Sequence, residues 1–260
     1  AIKKSRPDII YERYNLYQPA GVIVAKIMKI PIILEVNAPL KEERERFSGG
    51  LGLPWLAKKI EDFTWKNADK VLPVTAVMAE HCYLSGVKKE DVEVIHNGIR
   101  RSAFDENREK SVAKNDEDPL IVGFVGFMHL TCGVEDAIEV IAEETQVNVK
   151  LVCVGDGNVL DSLKSKADEL DVADRVQFTG LVGRQEIMRH VGRFDIALQP
   201  DVTEYASPLK MFEYMASKCL IVAPNKPNIN EILSSETAIL FNKGKDGFKN
   251  ALREAITNYE

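Results

Sequence analysis

Short apolar runs alternate along this chain with longer stretches in which apolar residues recur every three or four positions, and the alternation happens twice. Runs bounded by Gly, Pro or Asn predict buried strands; the periodic stretches predict amphipathic helices. The first half reads as a strand in "DIIYERY", a helix through "QPAGVIVAKIMK", a strand in "PIILEVN", a helix through "LPWLAKKIEDFTWKNA", a strand in "KVLPVT", a helix through "VMAEHCYLSG" and a strand in "VEVIHNG". Strand and helix in strict order imply a parallel sheet covered on both faces.

The pattern then lapses. "RRSAFDENREKSVAKNDEDP" is polar, charged and too long for an ordinary connection inside a compact unit, so it reads as a linker. Beyond it the alternation restarts: "LIVGFVG", a helix through "VEDAIEVIAEE", "VKLVCVG", a helix through "VLDSLKSKADEL", "RVQFTG", a helix through "RQEIMRHVG", "DIALQP", a helix through "SPLKMFEYMAS", "LIVAP" and "TAILF". The expected architecture is α/β with two Rossmann-like parallel-sheet domains, the first incomplete: residues 1–100, a linker at 101–118, and residues 119–260. The chain opens without a methionine and closes inside a helical pattern, "DGFKNALREAITNYE", which reads as part of a longer chain.

Composition changes this picture little. A content of 45% hydrophobic residues is that of a globular protein, and 34 basic against 40 acidic residues leave a net charge of -6, with no global basic field to attract nucleic acid or anionic lipid. Cys82, Cys132, Cys153 and Cys219 are too scattered for a zinc site or a redox pair, so buried reduced thiols and a cytosolic protein are expected. No apolar stretch reaches membrane-spanning length.

Parallel sheets bind ligands beyond the carboxyl ends of their strands, which singles out four loops. After "DIALQP", Ser207 is expected as N-cap and Pro208 as first helical residue, an anion-binding helix start to which Lys210 adds a cation. Helical spacing places Leu209, Phe212 and Ala216 toward the core, and Lys210, Glu213, Tyr214 and Ser217 on the other face. A surface Lys210/Glu213 pair remains the alternative. In "GFVGFMHLTCGVEDA", Gly126 and Gly133 bracket a turn that lacks the dinucleotide fingerprint. Gly155 and Gly157 permit close backbone approach in "LVCVGDGN", and Gly180 and Gly183 flank a short turn in "FTGLVGRQEI". His129 is a candidate base or phosphate ligand, whereas His81, His96 and His190 have no neighbours in sequence that suggest a triad or a metal site.

The motifs "VIHNGI", "GFVG" with "CGVEDAI", "LVCVGDGN", "RVQFTGLV" and "SPLKMFEYMA" followed by "IVAP" and "PNINEIL", in that order, resemble the retaining, glycogen-synthase-like glycosyltransferases of GT-B fold (glycosyltransferase group 1, family 4), from about Arg6 onward. The "LEVNAPL" and "SPLK" segments are similar to bacterial members of polysaccharide and cell-envelope assembly. The resemblance implies transfer of a sugar from a nucleotide diphosphate sugar to a glycan or lipid-linked acceptor, with no other cofactor, no metal and no nucleic acid, and with location in the cytoplasm or at the inner face of the membrane. It implies a donor site of Gly126, Phe127, His129, Cys132, Gly155, Val182, Tyr205, Ser207, Pro208, Leu209, Lys210 and Glu213, with Asn37 on the acceptor side. Glu213 matches the second of the family's two glutamates and would bind the donor ribose; the first falls on Tyr205. The resemblance implies that the family's phosphate-binding Arg and Lys fall near Phe127 or His129 and at Cys132, where neither basic residue is present, which makes Lys210 their replacement. Lys218 occupies the place of a helix-ending Gly. The resemblance also implies that the present chain by itself is inactive. An impaired nucleotide-sugar-binding or assembly-partner protein, and a nucleotide-sugar epimerase, are the other classes the pattern admits.

Overall fold

A computed structural model describes residues 6–47, 49–100 and 118–259. The expected linker thus lies, except for Asp118, outside the described residues. The chain divides into two compact units, one running to Asn97 and including Thr203–Ser207, the other comprising Gly98–Val202 and the residues from Pro208 onward.

The first unit holds a parallel sheet of three described strands in the order β1-β2-β3, at Ile10–Arg13, Ile32–Val36 and Lys70–Pro73. Helices α1 (Ala20–Met28), α3 (Pro54–Lys66) and α4 (Ala76–Leu84) follow the expected periodicity. One helix does not: α2 (Leu40–Phe47) buries no residue, so it has no apolar stripe to read, and the i,i+4 pairs Lys41–Glu45 at 2.7 Å and Glu42–Arg46 at 3.0 Å support it instead. The expected strand in "VEVIHNG" is corrected. Glu93 and Ile95 donate to the carbonyls of Val71 and Pro73, but Pro73 has no N–H to return a bond, so the pairing stops at an isolated Val71–Val92 bridge.

The second unit is a six-stranded parallel sheet in the order β6-β5-β4-β7-β8-β9, with β4 at Leu120–Val125, β5 at Val149–Val154, β6 at Val176–Phe178, β7 at Ile196–Leu198, β8 at Leu220–Pro224 and β9 at Ala238–Phe241. Its helices are α5 (Val134–Glu143), α6 (Leu160–Glu169), α7 (Arg184–Val191), α8 (Leu209–Ala216), the short α9 (Pro227–Asn230) and α10 (Lys245–Thr257). On one face Val122, Phe124, Leu151 and Cys153 pack with Ile138 and Ile141 of α5 and Leu252 of α10; on the other Val125, Val154, Ala197 and Ile221 pack with Val191 of α7 and with Met211 and Tyr214 of α8. Burial on both faces explains why the strands read as continuous apolar runs. Strand order reverses between β4 and β7, which is where such a sheet opens a crevice for ligands. Among the described residues no helix is long and apolar enough to cross a membrane.

Candidate functional site

β4 and β7 pair only as far as Phe124 and Leu198. One position on, Val125 turns both backbone groups toward α8: its N–H donates to the Tyr214 hydroxyl at 3.1 Å, and its carbonyl accepts from Lys210 Nζ at 3.1 Å. The Tyr214 hydroxyl in turn donates a hydrogen bond to the Leu198 carbonyl at 3.4 Å. Side chains of one helix therefore satisfy the groups that the parting strands leave unpaired.

These contacts correct the expected orientation of α8. Lys210, Glu213 and Tyr214 do share a face, but it is the inward one: Met211, Glu213 and Tyr214 are buried, Phe212 is half-buried, and Leu209 is 49% exposed. Polar atoms suggested a solvent face, whereas the Lys210 ammonium and the Tyr214 hydroxyl are hydrogen-bonded inside and the Glu213 carboxylate is paired with Arg184. The cap is corrected too. Pro208 is the N-cap and no side chain caps the helix; Ser207 Oγ instead accepts from Asn97 N at 3.4 Å in the first unit. At the far end Lys218 has φ of +59°, the left-handed conformation that its place after the helix requires.

The Lys210 ammonium lies 4.6 Å from the centroid of the Phe124 ring and 3.6 Å from where a Cβ on Gly126 would stand, so it sits directly behind the loop after β4. Burial pushes its pKa down to about 8. That loop is fastened to its neighbours through the backbone: Gly126 N donates to Val154 O, Met128 N to Asp156 O, and Gly155 bridges to Gly180. A Cβ on Gly155, whose φ is +130°, would come within 2.2 Å of Gly126 O, and one on Gly157 within 1.9 Å of Met128 O. The close approach expected of this loop is thus required by the neighbouring backbone.

Of the other expected donor residues, Phe127 is 63% exposed and Val182 half-buried on the loop before α7. His129 is exposed, with Nδ1 near the Thr131 hydroxyl at 3.1 Å. Cys132 is 6% exposed and packs among the core residues, close enough to Lys210 to act on its charge. Tyr205 is 4% exposed and makes its contacts in the first unit, its hydroxyl donating to Glu43 Oε1 at 3.3 Å and its carbonyl accepting from Thr75 Oγ1 at 2.9 Å. Asn37, at the end of β2, donates to Glu35 Oε1 at 2.7 Å.

Glu213 lies one turn beyond Lys210 with its carboxylate almost fully buried. Burial raises its pKa, and the guanidinium of Arg184, 2.7 Å away at Oε1, opposes the rise. Sequence reasoning missed Arg184 and the tie made by Tyr214. The one available signal for Arg184 was its place immediately after Gly183, in a loop already singled out. A cavity of about 370 Å³, lined by residues that include Leu130, Pro200, Lys226 and Phe248, opens at the same sheet edge, and neither Lys210 nor Glu213 lines it. Among the described residues no group of three or more His, Cys, Asp or Glu side chains is placed to hold a metal ion.

A family model describing glycosyl transferases group 1 matches residues 119–258, and one describing a glycosyl transferase 4-like domain matches residues 1–98. The chain is 25% identical over 250 residues to an alpha-monoglucosyldiacylglycerol synthase of Streptococcus pneumoniae, covering 91% of this chain and 56% of that protein. It is 24% identical over 242 residues to a glycogen synthase of Mycobacterium tuberculosis, covering 90% and 56%. The chain therefore spans just over half the length of these relatives. Among solved structures, Anabaena Alr3699/HepE in complex with UDP superimposes with a TM-score of 0.76 at 17% identity, covering 96% of this chain and 69% of that one. The apo lipopolysaccharide outer core galactosyltransferase WaaB gives 0.69 at 17% identity, covering 98% and 68%. These likenesses show a shared fold.

Proposed function

The chain belongs to the group 1 glycosyl transferases, and from that premise we propose that the intact protein is a retaining glycosyltransferase that takes a sugar from a nucleotide diphosphate sugar and delivers it to a glycan or lipid-linked acceptor. In this reading residues 119–260 form the donor-binding domain, residues 1–100 are acceptor-side, and residues 101–118 link them. The observation that carries the reading is the placement of Lys210 and Glu213 on one face of α8 at the strand-order reversal, a cation behind the Gly126 loop and a carboxylate one helical turn on. The first N–H groups of α8 have no intrahelical partner and carry the positive end of the helix dipole. Together with Lys210 they stabilise the charge that grows on a departing diphosphate. Glu213 accepts from the donor ribose hydroxyls, and the loops carrying Phe127, Gly155 and Val182 form the walls. The UDP bound by Alr3699/HepE supports a nucleoside diphosphate as the anion. Homology to a glucolipid synthase supports a lipid-linked acceptor.

A second reading, donor binding without transfer, draws on Tyr205. It occupies the position of the family's first glutamate and is engaged by Glu43. The two readings separate in one set of measurements on the intact natural chain: melting temperature against a panel of UDP-, GDP- and ADP-sugars, then transfer or hydrolysis of whichever donor stabilises. Stabilisation with turnover is the expected result. Stabilisation without turnover establishes the second reading, and a panel with no stabilising donor overturns both.

A further inference from the structure

The partner of Glu213 extends this reading to a residue with no role in it so far. Glu213 has a side chain only 5% exposed, yet the guanidinium facing it from α7 is 61% exposed. A pair with one partner largely in water adds little to stability, and an apolar residue at position 213 would pack at least as well. The pair is also not needed to dock the helices, because Val191 of α7 and Met211 and Tyr214 of α8 already meet in one apolar cluster. Its effect is local. Burial favours the neutral carboxyl at Glu213 and the guanidinium opposes it; a protonated carboxyl loses much of its capacity to accept two hydroxyl hydrogen bonds.

We infer that Arg184 is a positioning residue of the donor site, holding the Glu213 carboxylate through Oε1 so that Oε2 accepts from the vicinal hydroxyls of the donor ribose. The inference rests on the donor reading given above. It also fits the position of Arg184 at the start of α7, directly after the loop that carries Val182 at the same sheet edge. Among the described residues the charged group facing Glu213 is Arg184. On α8 itself the neighbours are Tyr214, whose phenol burial pushes up strongly so that it stays protonated, and Lys210, whose ammonium is turned to the Val125 carbonyl.

The test is calorimetric titration of the intact natural chain with UDP, and with GDP and ADP in parallel, from about pH 5.5 to pH 8.5. Wild type is compared with Arg184→Met, Arg184→Lys and Glu213→Gln. Ratios of variant to wild-type Kd cancel the titration of the nucleotide's terminal phosphate and of Lys210. Arg184→Met is expected to lose affinity relative to wild type progressively as pH falls, by about tenfold for each pH unit below the titration of the carboxyl. Arg184→Lys restores a flat ratio, and Glu213→Gln is weakened at every pH. A flat ratio for Arg184→Met beside a weakened Glu213→Gln overturns the role of Arg184 and leaves the donor reading standing. A wild type that binds none of the three nucleotides, or a Glu213→Gln that binds as wild type does, overturns the donor reading and this inference with it.

Discussion

Lys210 and Val125 are joined across the strand-order reversal: the ammonium donates to the Val125 carbonyl at 3.1 Å while the Phe124 ring lies beneath it. No anion accompanies that cation among its described contacts, and burial holds its pKa near 8 against an ordinary lysine value of 10.5. A buried charge stabilised by one carbonyl and one ring is costly until a ligand supplies the opposite charge, and this dependence makes the reading testable.

The first prediction opposes stability to activity. Below pH 8 Lys210 is protonated in both folded and unfolded chains, so the folded state bears the whole desolvation cost; the cost fades as pH rises from 8 toward 10.5, where the unfolded chain also loses the proton. Lys210→Met keeps the aliphatic packing and should raise stability at pH 7 by on the order of 2 kcal/mol, with the gain shrinking at alkaline pH. In the intact enzyme the same change should lower kcat by roughly a hundredfold to a thousandfold. Denaturant melts at pH 7 and pH 10, with initial rates alongside, decide it. A variant with unchanged kcat returns Lys210 to a purely structural role.

Donor binding should take up protons. A diphosphate placed at the Gly126 loop raises the pKa of Lys210 from about 8, so near that pH the complex holds more protons than the free protein. Calorimetry with UDP at pH 8.5, in buffers of different ionisation enthalpy, should show net uptake that Lys210→Met abolishes. Equal uptake in wild type and variant places the anion elsewhere.

Two glycines on the same edge should respond unequally to a methyl group. At Gly155 a Cβ would meet Gly126 O at 2.2 Å, while at Gly180, with φ of +68°, nothing lies within 4 Å. Gly180→Ala should cost about 1 kcal/mol from backbone strain alone, and Gly155→Ala more than about 2 kcal/mol because the stitched loops must part. Urea melts of both variants measure this, and equal losses would falsify the close-approach account.

Tyr214→Phe removes the hydroxyl that takes the Val125 N–H and gives to the Leu198 carbonyl. Two buried backbone groups then lose their partner, so a loss of about 2 kcal/mol is expected, more than an ordinary single hydrogen bond contributes. Amide exchange should also quicken at Val125 before it does at Phe124, whose strand pairing is intact. Unchanged exchange at Val125 would show that water replaces the hydroxyl without cost.

Much of this protein was legible from local pattern, because burial of apolar groups is periodic along the chain. The runs "LIVGFVG", "VKLVCVG" and "LIVAP" are strands since both sheet faces are covered, and "VEDAIEVIAEE" is a helix since one stripe meets the sheet. The glycines of "LVCVGDGN" announced a close approach for the same kind of reason: missing side chains are visible in sequence. What they approach was not, because Gly126 is brought beside Gly155 only by the pairing of β4 with β5. Polar groups follow another rule, since their burial depends on partners far away in the chain. Lys210, Glu213 and Tyr214 read as a solvent face, and only tertiary structure supplied the Val125 carbonyl, the Arg184 guanidinium and the Leu198 carbonyl that allow that face inside. Ser207 looked like a helix cap until Asn97, 110 residues away, proved to hold it. Periodicity records where apolar area is removed from water; where a polar atom finds its partner is settled by the path of the chain through space.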